Sequence, residues 1–108
     1  MSELREAVRP FGIAIDYDDT FTTCPETWTE VIEVLRGANA RVFCVTFRKP
    51  TSPVTDFPGE VFYTSGQPKA EYMAEQRIDV HIWIDDQPHL IGMDPMKKAM
   101  REALGLVA

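Results

Sequence analysis

Asp16, Asp18, Asp19 and Thr20 put three carboxylates and a hydroxyl into four of the five positions that follow the apolar run Ile13-Ala-Ile15. Carboxylates crowded in this way repel one another, and a hard cation such as Mg²⁺ is the usual way to offset the repulsion. A second acidic pair, Asp85-Asp86, follows another apolar run, Val80-His-Ile-Trp-Ile84. Two further runs lead into groups that suit an anion: Thr46 with Arg48 two residues on, and Thr64-Ser65 leading to Lys69. Carboxylates for a metal, with hydroxyl and cationic donors for a phosphate, would make up a metal and phosphate site if the fold brings these segments to one place.

Elements that could do so are readable. Ile13 and Ile15 suit a buried parallel strand; Arg41 to Phe47 and Val61 to Thr64 read as a second and third strand, and Val80 to Ile84 as a fourth. Pro25 can open a helix in which Trp28, Val31, Ile32 and Leu35 recur at helical spacing, with Gly37 as its stop. Three prolines between Lys49 and Gly59 leave the second crossover irregular, with at most a turn of helix. A second helix is expected from near Pro68 to about Arg77. A third is capped by Asp94, with Met96, Ala99, Met100, Ala103 and Leu104 on its buried side and Gly105 as terminator.

Strands alternating with helices, and apolar almost throughout, predict an α/β class with a mainly parallel sheet covered on both faces in three α/β/α layers. In such Rossmann-like sheets ligands collect beyond the carboxyl ends of the strands. All four runs deliver their functional-type residues at that end.

The 108 residues are read as one domain, 1–108, with an ordinary hydrophobic fraction of 44%. No stretch approaches a membrane helix, and the start Met-Ser-Glu-Leu-Arg-Glu lacks a secretory layout, so a soluble, cytoplasmic protein is expected. A net charge of −6 argues against a general surface for gripping nucleic-acid backbones, though not against a nucleotide or a nucleic-acid end. Cys24 and Cys44 have no metal-ligand or disulfide spacing and read as reduced thiols, Cys44 as core.

The order of motifs resembles the haloacid dehalogenase (HAD) superfamily of phosphohydrolases over roughly Ile13 to Ile91. It is carried by Asp16-Tyr-Asp18-Asp19-Thr20 after a strand, Thr46 at the end of the second, Lys69 at a helix start and the terminal pair Asp85-Asp86. Asp19 stands where the family commonly has glycine or another residue. The phrases Asp-Tyr-Asp-Asp-Thr-Phe-Thr and Trp-Ile-Asp-Asp-Gln-Pro look like small HAD-like hydrolases of phage and bacteria.

The resemblance implies that Asp16 is the nucleophile of an aspartyl-phosphate mechanism and that Asp18 protonates the leaving group and then activates water. Thr46 and Lys69 would bind and neutralise the phosphoryl group. Mg²⁺ would be held by Asp16, the Asp18 backbone carbonyl and the terminal acids, Asp86 directly and Asp85 in support through water or Lys69. Arg48 would meet substrate at the mouth. No room is left for a folded cap domain, so the site should be open. It would take a nucleotide, nucleic-acid end or phosphoprotein, or else rely on a partner subunit, including a second copy of the chain, to cover a small substrate.

Taken singly, these residues have plainer roles. Thr46 suits a strand-end hydroxyl, Lys69 and Arg48 solvated surface cations, Asp85-Asp86 a turn, and Asp19 a surface or capping acid. His81 reads as a satisfied core histidine, and Tyr17 and Trp83 as packing residues. Two rival functions remain: a catalytically silent HAD-like binding or regulatory module, and a receiver-like phosphoacceptor domain. The second is disfavoured by order, because receivers resemble the reverse arrangement with lysine last.

Overall fold

In a computed structural model, residues 10–105 are described. Four strands, β1 (Phe11–Ile15), β2 (Ala40–Thr46), β3 (Val61–Tyr63) and β4 (Ile82–Ile84), form one all-parallel sheet in the order β3-β2-β1-β4. Three helices accompany them: α1 (Pro25–Gly37), α2 (Lys69–Glu75) and α3 (Pro95–Ala103). The α/β architecture expected from the alternating runs is the one observed.

Burial on both faces explains why β1 and β2 are apolar without alternation. Ile13 and Ile15, paired with Val42 and Cys44, point to one face and pack with Phe21, Ile32 of α1 and Phe57 of the proline-rich crossover. Ala14, Phe43 and Val45 point to the other face, against Met73 of α2. Helix α1 has the predicted bounds, Pro25 to Gly37, and buries Ile32, but Val31 lies partly in solvent. The crossover from Phe47 to Glu60 holds neither helix nor strand. Arg36 of α1 pins it by donating to the Pro58 carbonyl at 2.7 Å.

The β4 side departs from expectation. Val80 to Ile84 was expected to be strand, yet only Ile82–Ile84 pairs with β1. The reason is local: His81 Nδ1 accepts the Gly12 N–H at 2.9 Å, taking a donor that a longer parallel ladder would give to a carbonyl. His81 is thus an exposed edge residue and not part of the core. Gly12 is required beside it, because a Cβ there would run into the Asp79 carbonyl oxygen.

Helix α3 begins as predicted, Asp94 Oδ1 accepting the Met96 N–H at 2.8 Å, and Gly105 ends it in the left-handed region at φ 71°. Its apolar stripe is not buried: Met96, Met100 and Leu104 are 73%, 59% and 69% exposed. Among the described residues no helix is long and apolar enough to cross a membrane.

Candidate metal and phosphoryl site

The chain runs from β1 to β2 to β3 in one direction and returns to β4 on the other side of β1, so the crevice of a parallel sheet should open between the ends of β1 and β4. Asp16 is the first residue past β1, and its N–H still bonds the Ile84 carbonyl at 2.9 Å, which sets it level with Asp85 and Asp86. One oxygen from each of Asp16, Asp85 and Asp86 lies within 4.8 Å of the others, a hard, all-oxygen donor set that could hold a metal ion. Asp18, whose backbone carbonyl is the group expected at the metal, adds no carboxylate oxygen to this trio; its side chain pairs with Arg48.

Lys69, at the first turn of α2, is 1% exposed. Its Nζ donates to Asp16 Oδ1 at 2.7 Å and to Asp85 Oδ2 at 2.6 Å, and stands 4.9 Å from the Phe47 ring centre. Asp85 Oδ1 is also taken, accepting the Gln87 N–H at 2.9 Å. Thr20 Oγ1 lies between the two remaining acids, 3.2 Å from Asp16 Oδ2 and 3.4 Å from Asp86 Oδ1. The sequence placed Thr20 in the acidic cluster without a role; its link to Asp86, 66 positions away, has no local signal.

Burial pushes the Asp16 carboxyl up to about 6, against the opposing Lys69 hydrogen bond and with help from its acidic neighbours Asp86 and Asp85. Asp18 behaves oppositely. Arg48 Nη2 and Nε donate to its two oxygens at 2.8 and 3.0 Å, and this pairing holds Asp18 below the usual carboxylate range. Without a metal, then, Asp16 keeps its proton to a higher pH than Asp18 does, the reverse of the division of labour that the resemblance implies.

Thr46, buried at the end of β2, accepts the Arg48 N–H on its Oγ1 at 3.2 Å, leaving its own proton for another partner. Asp16, Asp18, Asp19, Thr46, Phe47, Lys69, Asp85, Asp86 and Gln87 line one open cavity of about 110 Å³. Residues from the ends of β1, β2 and β4 and from the start of α2 are thus brought together as expected. Thr64, at the end of β3, is buried with its hydroxyl unpartnered and does not line this cavity. Asp19 sits at the rim at φ 61°, its N–H bonded to Thr22 Oγ1 at 3.0 Å.

Cys44 is core, and its burial pushes the thiol up to about 12; Cys24 is exposed, and both are free. No protein-family model, curated protein or solved structure matches this chain. The case for function therefore rests on the site's own chemistry.

Proposed function

We propose that this chain is a Mg²⁺-dependent phosphomonoesterase of HAD type, working through an aspartyl-phosphate at Asp16. The observation that carries the reading is the meeting of Asp16, Asp85 and Asp86 with Lys69 and Thr46 around one cavity at the carboxyl end of a parallel sheet. An Asp16 oxygen attacks phosphorus as the ester P–O bond breaks, and Asp18 gives a proton to the departing oxygen. Asp18 then takes a proton from water, whose oxygen displaces Asp16 from phosphorus and releases orthophosphate.

A divalent cation, when bound, supplies charge neutralisation between the anionic nucleophile and the anionic substrate. Asp16 and Asp86 would hold it, with the Asp18 carbonyl, and Asp85, which accepts from Lys69 and from the Gln87 N–H, would stand in support. Asp85 acts by positioning Lys69, which offsets the charge of the phosphorylated intermediate. The Thr46 hydroxyl donates to a phosphoryl oxygen. Burial raises the Asp16 carboxyl only to about 6, so near neutral pH it is ionised for attack, and would be more fully so beside a bound cation. The open cavity and the capless crossovers support a substrate larger than the cavity, with only its phosphoryl group inside: a nucleotide, a nucleic-acid end or a phosphoprotein.

The test is phosphate release across a panel of phosphometabolites, phosphopeptides and end-phosphorylated oligonucleotides, with Mg²⁺ and with chelator. We expect Mg²⁺-dependent turnover, lost in Asp16→Asn and reduced about 10²- to 10⁴-fold in Asp18→Asn. Turnover unaffected by Asp16→Asn would overturn the mechanism. A catalytically silent module is favoured by one observation: in this structure Lys69 and Arg48 are both satisfied by carboxylates. Mg²⁺ binding at Asp16 and Asp86 with no turnover anywhere in the panel would support that second reading.

A further inference from the structure

Arg48 donates to both oxygens of the carboxylate assigned to proton transfer, a bidentate pairing that suits an ionised carboxylate and not one carrying a proton to a leaving group. Asp18 is part of the cavity wall, and Arg48 is joined to that wall through Asp18 and through its N–H on Thr46 Oγ1. The guanidinium has two other supports. Its Cζ lies 4.9 Å from the centre of the Tyr17 ring, and Nη1 donates to the Ser52 carbonyl at 3.4 Å. Tyr17 is itself fixed, its hydroxyl donating to Asp56 Oδ1 at 2.7 Å and its ring stacked 6.0 Å from Phe21. Arg48 can therefore give up Asp18 and keep these other supports.

We propose that Arg48 is a phosphate-operated latch: a phosphoryl group entering beside Thr46 draws the guanidinium from Asp18, binding the substrate and freeing the proton carrier in one exchange. The inference rests on the phosphoryl-site reading above. Its chemistry is an exchange of anions at one fork of donors, carboxylate for phosphate, both of which arginine binds bidentately. The pair is partly solvent-exposed, with side chains 34% and 53% accessible, so its opening needs no change in the core. In a capless site this exchange would tie readiness for chemistry to occupancy.

The test is a double-mutant cycle on inorganic phosphate binding in the presence of Mg²⁺, measured by calorimetry on the full chain, Asp18→Asn, Arg48→Ala and the double variant. Both side chains are at the surface, and circular dichroism checks that each variant is folded. If the latch operates, Arg48→Ala weakens phosphate binding about ten-fold. Asp18→Asn tightens it about three- to five-fold when Arg48 is present, because the competitor is gone, and by less than two-fold in the Arg48→Ala background. The general loss of a negative charge is common to both backgrounds and cancels in the cycle. The Arg48 Nε–H resonance, assigned by its disappearance in Arg48→Ala, should shift on phosphate addition in the unsubstituted protein.

Phosphate binding with the same Asp18→Asn effect in both backgrounds would overturn the latch and leave the phosphoryl site intact. Absence of saturable phosphate binding in all four proteins would overturn both.

Discussion

Two ion-pair systems reach the same cavity, one through Lys69 and its two carboxylates and one through Asp18, and they are built differently. Lys69 is enclosed between Asp16 and Asp85 at 2.7 and 2.6 Å, with almost no contact with water. Arg48 holds Asp18 at 2.8 Å where both side chains are partly exposed. Buried pairs are costly to assemble but still more costly to break, since the charge left behind has neither water nor partner. Exposed pairs are screened, and their net value is small. The difference assigns rigidity to the half of the site that holds Asp16, the proposed nucleophile, and freedom to the half that holds Asp18, the proposed proton carrier.

The sharpest way to break this comparison is Lys69→Met. It leaves Asp16 and Asp85 buried without their shared cation, and should destabilise the metal-free protein by about 3–5 kcal/mol in urea unfolding. Mg²⁺ should recover more of the loss than it adds to the unsubstituted protein, because it replaces the missing positive charge. A cost no larger than that of removing Arg48 would show that the two systems are not different in kind.

A pH series separates them next. In the metal-free folded chain the Asp16 proton is held up to about 6, whereas the unfolded chain releases it near the ordinary carboxylate value of 3.8. The folded state therefore binds more protons across that window, and Asp16's contribution to stability declines as pH rises from about 4 through 6 and levels off above. Asp16→Asn should remove that slope. The same proton competes with a divalent cation, so Mg²⁺ affinity, read by calorimetry, should be weaker at pH 5 than at pH 7.5 by about ten-fold. Equal affinity at the two values would mean that Asp16 is not a ligand.

What the sequence made legible follows the same division between enclosed and open parts. β1 and β2 were readable because burial on both faces demands an apolar residue at nearly every position, and Pro25 and Gly37 bound α1 by their backbone properties. The site residues were readable because strand ends in a parallel sheet converge. β4 was shortened by the His81 imidazole acting in place of a backbone carbonyl, which no periodicity reports. For α3, spacing correctly identified Met96, Met100 and Leu104 as one stripe, but a stripe does not reveal whether anything in the chain covers it. The partner choices were hidden for a similar reason: Asp18 and Arg48 are 30 positions apart, and nothing in either segment says that they meet.

The smallest expected effect is the one that best tests the open half. Because Arg48 holds Asp18 below the usual carboxylate range, the pair contributes stability above that range and loses it as pH falls through the depressed value. At neutral pH, Asp18→Asn should lower the thermal midpoint by no more than about 3 °C, and by less still at high salt, where exposed pairs are screened. Against this near-silence in stability stands the large loss of turnover expected of the same substitution. A residue that scarcely matters to the fold, and to which the proposed mechanism gives the proton, is one that the fold can release. If Asp18→Asn proved as destabilising as Lys69→Met, Asp18 would be a structural anchor, and the freedom ascribed to this half of the site would be lost.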